Sequence, residues 1–114
     1  MSTTEAAMAE IERQKAGRMI GTVVLAGITY LDGDGKVIRH RQMFGTVLRI
    51  NQSEGLVLAS GLDGKEVALP PDLAQYHRAE PGTYRLHSLD RTVVDPDYLS
   101  TWNVYVAGGD GPAK

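Results

Sequence analysis

From Met19 onward the chain is cut by turn-forming clusters at close intervals. They are Asp32-Gly33-Asp34-Gly35, Asn51-Gln52-Ser53-Glu54-Gly55, Gly61-Leu62-Asp63-Gly64, Pro70-Pro71-Asp72, Glu80-Pro81-Gly82 and Asp95-Pro96-Asp97. Gly and Asp tolerate the positive φ of tight hairpins, and Pro fixes φ while withdrawing an N–H donor. The segments between them are rich in Val, Ile, Thr, Leu and Tyr. Short β-prone runs at this spacing are the signature of a sandwich or small barrel. The fold class expected is therefore mainly β: a single small antiparallel, strongly bent barrel or sandwich of about six strands.

The runs carry their own registers. Met19–Leu31 is apolar on both faces in part, as a central or curled strand is, with Gly21 and Gly27 permitting bends. Lys36–Ile50 is long enough to bend near Gly45. Period two puts Phe44, Thr46, Leu48 and Ile50 on one face, with Val47 and Arg49 on the other. Leu56–Ser60 and Lys65–Leu69 flank a four-residue connection, which sets Leu58 opposite Val67 and Leu56 opposite Leu69. Asp72–Tyr76 reads as a short helical turn capped by Asp72. Thr83–Leu89 and Thr101–Ala107 complete the strands, the latter with Trp102, Val104 and Val106 on one face. The core expected is Val24, Ile28, Leu48, Ile50, Leu58, Val67, Leu69, Leu86, Trp102 and Val104.

Before Met19 the pattern is helical. Ser2 and Glu5 have capping-box spacing, residues 2–16 favour helix, and Gly17 stands where a stop is expected. The apolar stripe is only Ala7, Met8 and Ile11, too narrow to hold the helix without docking. Ile11 with Met19 and Ile20 suits a plug for one barrel end. The divisions are thus a helix or arm over 1–18, a β-domain over 19–107 and a disordered tail over 108–114. The whole is 114 residues, one ordinary domain, and its 42% hydrophobic and 23% charged content is that of a globule.

Composition excludes several chemistries. There is no Cys, so disulfide scaffolds, thiolate metal sites and thiol catalysis are removed. A net charge of −2 gives no general attraction to nucleic acid. The N-terminus lacks the basic and apolar regions of a secretory signal, and no apolar run approaches the length of a membrane span. A cytoplasmic protein is expected. Asp32 and Asp34 start like a calcium loop, but Lys36 and Met43 stand where further oxygen ligands are needed. His40, His77 and His87 have no zinc-type spacing. No Ser sits in a nucleophile elbow and no glycine loop opens a helix, so no catalytic residue, metal or cofactor is expected.

Two residue groups remain as candidate surfaces. Rigid Pro corners around Tyr76, Tyr98 and Trp102 would present aromatics of the kind that anchor protein interfaces. Arg39, His40, Arg41 and Arg49, near Tyr30 and Phe44, would instead suit a small nucleic-acid surface. The alternation and turn spacing over residues 19–107 resemble SH3-like or Sm-like small barrels in architecture, without a family motif that assigns residues, and fold alone does not give function. The expected function is a non-catalytic protein-interaction module, self-associating or inhibitor-like, whose partner is another protein or itself. The alternatives are an RNA- or DNA-binding small barrel, and an enzyme whose site is assembled from distant residues.

Overall fold

The computed structural model describes residues 12–86 and 89–106. The capping box at Ser2, the apolar Met8 and Ile11, His87 and the tail 108–114 lie outside the described residues. Residues 12–19 are helical (α1). Eight strands follow: β1 (Val23–Leu31), β2 (Val37–Asn51), β3 (Gly55–Ser60), β4 (Glu66–Leu69), β5 (His77–Arg78), β6 (Thr83–Leu86), β7 (Arg91–Val94) and β8 (Tyr98–Tyr105). A 3-10 turn, Leu73–Gln75, separates β4 from β5.

Six strands form one mixed sheet in the order β4-β3-β2-β1-β8-β5, and β6 pairs with β7 as a separate hairpin. The expected all-antiparallel arrangement is corrected at one ladder: β8 runs parallel to β1. The cause lies at its entry. The Asp97 carboxylate accepts the Val23 N–H at 2.9 Å, and the Asp97 N–H donates to the Val23 carbonyl at 2.9 Å. β8 therefore starts beside the start of β1 and must travel the same way. The β3–β4 register has Leu58 opposite Val67 and Leu56 opposite Leu69, as the sequence requires.

The sheet curls around its main core. That core joins Val24, Ala26 and Ile28 of β1, Met43 and Val47 of β2, and Leu56 and Leu58 of β3. It also takes Leu69 from β4, Tyr76 beside β5 and Tyr98 from β8. A flat sheet would hold β4 and β5 about 24 Å apart at the usual strand spacing. Side chains from both edges meet only because the sheet wraps. The chain over 70–76 spans the remaining gap, so β4 and β5 stay as edges, and no closed barrel is found among the described residues. The β6–β7 hairpin covers the opposite face, where Leu86 and Val93 meet Leu25, Val23, Phe44 and Leu99.

α1 closes one end of the main core. Met19 is fully buried there, whereas Ile20 is exposed. The helix runs past Gly17, where a stop was expected. Burial of Met19 favours the extra turn, and Gly21, at φ 84°, makes the exit in the left-handed region that suits glycine. The Lys15 Nζ donates to the carbonyls of Leu73 (2.6 Å) and Tyr76 (2.8 Å), tying helix to 3-10 turn. Asp72 occupies the cap position of that turn but makes no side-chain cap bond.

Two expected core residues are exposed. The ladder between β2 and β3 shifts between Val47 and Arg49, and this bulge turns Leu48 outward while Val47 is buried. Period two fails across a bulge because one strand holds an extra residue. Val104 is 39% exposed because it lies where β8 runs out beyond the main core. Val24, Ile28, Leu58, Leu69 and Leu86 are buried, and Ile50, Val67 and Trp102 pack half-buried against the core.

Candidate functional site

The free ends of β2, β1 and β8 form a three-stranded surface away from the plug. β1 is central: Tyr30 lies between Arg39 and Val104, and Ile28 between Arg41 and Trp102. These six residues share one face. The Arg39 guanidinium sits 5.0 Å from the Tyr30 ring centroid, a cation–π contact. No carboxylate belongs to this face, and among the described residues neither Arg39 nor Arg41 pairs with one. Ile38, at the irregularity where β1 meets β2, is also exposed.

The opposite face of the same strands is more polar. Thr29 Oγ1 and His40 Nδ1 are 3.1 Å apart, and with Gly27, Gln42 and Thr101 they line a depression of about 240 Å³. At its outer end Leu31 is flanked by Val37 and Tyr105, which are 55% and 69% exposed. At the tip, the Asp32 carboxylate accepts the N–H groups of Asp34 (2.9 Å) and Lys36 (3.0 Å). Its oxygen is spent on the turn.

The sequence-derived aromatic group is brought together, but inside. Tyr76 is fully buried and Tyr98 nearly so, while Trp102 is half-buried. The Tyr76 and Trp102 rings meet edge to face at 5.5 Å. The Tyr76 hydroxyl donates to the Pro70 carbonyl at 2.7 Å, and burial pushes its pKa well above the ordinary phenol value. Tyr76 and Tyr98 thus serve the core in this structure, and only Trp102 reaches the surface. Tyr105, not singled out from sequence, is the most exposed aromatic of the described strands. Its signal was present: it alternates with Trp102 and Val104 and so must face the other way.

The basic group is divided. Arg39 and Arg41 share a face, and His40 points from the other. Arg49 lies beyond the bulge and on the opposite face, with Val57. Its guanidinium is held by Glu54 at 2.6 Å and by Glu66 at 2.7 Å, so it is neutralised. Hydrogen bonds from Arg49, then from Asn51, hold the Glu54 carboxyl down at about 2. The Glu66 carboxyl is lowered for the same first reason, its bond to Arg49.

No three His, Asp or Glu side chains converge among the described residues. The Thr29–His40 pair has no described carboxylate to orient the imidazole. What this end of the molecule offers is contact area: Arg, Tyr and Trp beside exposed Val and Ile, the residue types enriched in interface centres, with the depleted Lys, Glu and Asp absent from the face. No helix among the described residues is long and apolar enough to cross a membrane. No protein family, curated protein or solved structure matches the chain.

Proposed function

We propose that this protein is a non-catalytic protein-interaction module that binds through the free end of its sheet. One observation carries the reading: exposed Arg39, Arg41 and Val104 surround the half-buried Tyr30 and Trp102 on a sheet face without a carboxylate, and exposed Ile38 lies at the irregularity beside them. Singly exposed apolar residues are ordinary, but contiguous ones beside unpaired Arg mark contact sites. The same reading takes the curled sheet as a small barrel that stops short of closure, with residues 70–76 across the gap.

The test is capture with tagged wild-type chain against a tagged Ile38→Asp/Val104→Asp variant, with circular dichroism confirming the fold of both. Binders, including untagged copies of the chain itself, should be retained by the wild type and lost by the variant. An identical retained set from both refutes the reading. Arg39 and Arg41 beside Tyr30, neither paired with a carboxylate among the described residues, favour single-stranded nucleic acid as a second reading. It requires oligonucleotide binding that weakens steeply with salt and with Arg39→Ala or Arg41→Ala.

A further inference from the structure

The two edges of the main sheet are not alike. The β4 edge carries Glu66, follows Lys65 and ends at Pro70-Pro71, all features that discourage further strand pairing. The β8 edge is covered by β5 only at Tyr98 and Leu99. Beyond that point residues 100–106 read Ser-Thr-Trp-Asn-Val-Tyr-Val, with no charge and no Pro. Among the described residues no strand pairs with this stretch from the open side.

The backbone alternation identifies what the edge presents. The Val106 N–H points inward and donates to the Leu31 carbonyl at 2.9 Å. By the two-residue period, Trp102 and Val104 also turn their N–H and C=O groups toward β1. Those of Thr101, Asn103 and Tyr105 face the open side.

We infer that this edge pairs antiparallel with the same edge of a second copy, about a two-fold axis at Asn103. The inference rests on the interaction-module reading and names its partner. Asn103 is the central one of the three outward-facing residues, Thr101, Asn103 and Tyr105, that β8 holds beyond its pairing with β5. A two-fold there sets outward-facing groups against outward-facing groups: Asn103 against Asn103, and Thr101 against Tyr105. Three hydrogen-bonded pairs would supply about six backbone hydrogen bonds. Between them Trp102 opposes Val104 of the second copy, in the close non-hydrogen-bonded position where side chains touch most. Each large side chain meets a smaller one, and no like charges are opposed. The exposed Val104 and Tyr105 gain cover on their respective faces. A heterologous partner would have to supply this same complementary pattern, whereas a second copy has it already.

The test is the mass of the full chain in solution across a concentration series, by light scattering and sedimentation equilibrium. Wild type should show twice the chain mass. Asn103→Pro removes an outward N–H that no strand among the described residues pairs with, and Pro is tolerated on an edge with that geometry. It should give a single-chain mass with unchanged circular dichroism. Val104→Asp, at a position already exposed, should do the same by setting a carboxylate against the electron-rich ring of Trp102 of the second copy. If Asn103→Pro fails to fold, Val104→Asp alone decides.

Wild type that stays at single-chain mass up to millimolar concentration overturns the inference, and so does a dimer that survives Val104→Asp. If capture of other proteins still depends on Ile38 and Val104, the interaction reading stands and only the second copy is wrong. If that dependence is also absent, both fall.

Discussion

Replacing Tyr76 tests the claim that the sheet wraps and that residues 70–76 are pinned across its gap. The side chain does two jobs. Its ring fills the core against Trp102, and its hydroxyl holds the Pro70 carbonyl. Tyr76→Phe removes only the second. A neutral hydrogen bond is worth about 1 kcal/mol net, and Pro70 is at the surface, where water can replace the lost donor. Tyr76→Phe should therefore cost about 1 kcal/mol and lower Tm by about 4 °C. Tyr76→Ala removes the ring as well. Burying an aromatic of this size is worth several kcal/mol, and such truncations cost about 3–5 kcal/mol. That is a large part of the ~5–15 kcal/mol available to a domain.

Urea denaturation followed by fluorescence measures both variants, because Trp102 is the single tryptophan and touches the mutated ring. The native emission of Tyr76→Ala should also shift to the red as water reaches Trp102. Equal costs for Phe and Ala would refute the argument, since the ring would then not be packed between the two sheet edges. The phenol adds a pH signature. Its pKa is raised in the fold by burial, so the folded chain keeps a proton that the unfolded chain loses. The stability tied to this group is present below the unfolded phenol pKa of about 10 and is lost as pH rises above it. Tyr76→Phe should abolish that part of the alkaline loss.

Gly45→Ala should destabilise by about 1–3 kcal/mol or more in urea denaturation, because its Cβ would strike the Ala59 backbone carbonyl, which cannot swing away. Arg49→Ala should return the Glu54 carboxyl from about 2 toward the ordinary carboxylate range, read by NMR titration. The sign follows from the lowered pKa: the contribution of Glu54 is present above the unfolded value and lost as pH falls from about 4 toward 2, a loss that Arg49→Ala should reduce to the part held by Asn51. Lys15→Met keeps the aliphatic stem but withdraws both bonds to the 3-10 turn; hydrogen exchange over residues 12–19 should accelerate several-fold while β1 and β2 stay protected.

Local chemistry was enough to determine much of this protein. Turn clusters of Gly, Asp and Pro depend only on neighbouring φ and ψ, so the mainly β character and the hairpins at Asp32–Gly35 and Gly61–Gly64 follow from sequence. Alternation between two fixed turns set the register that places Leu58 opposite Val67 and Leu56 opposite Leu69. Tertiary structure decided what depends on partners distant in the chain. The bulge at Leu48 reversed the faces of Arg49 and Ile50 relative to Phe44 and Thr46, and Glu66 then claimed Arg49 from seventeen residues away. The short β5 and β7 exist because β8 and β6 offer them edges. The parallel course of β8 was set by Asp97 meeting Val23 across 74 residues. The burial of Tyr76 and Tyr98 followed from the curling of the sheet, which no window of sequence contains. Alternation tells which side of a strand a residue occupies; only the packed chain decides which side is covered.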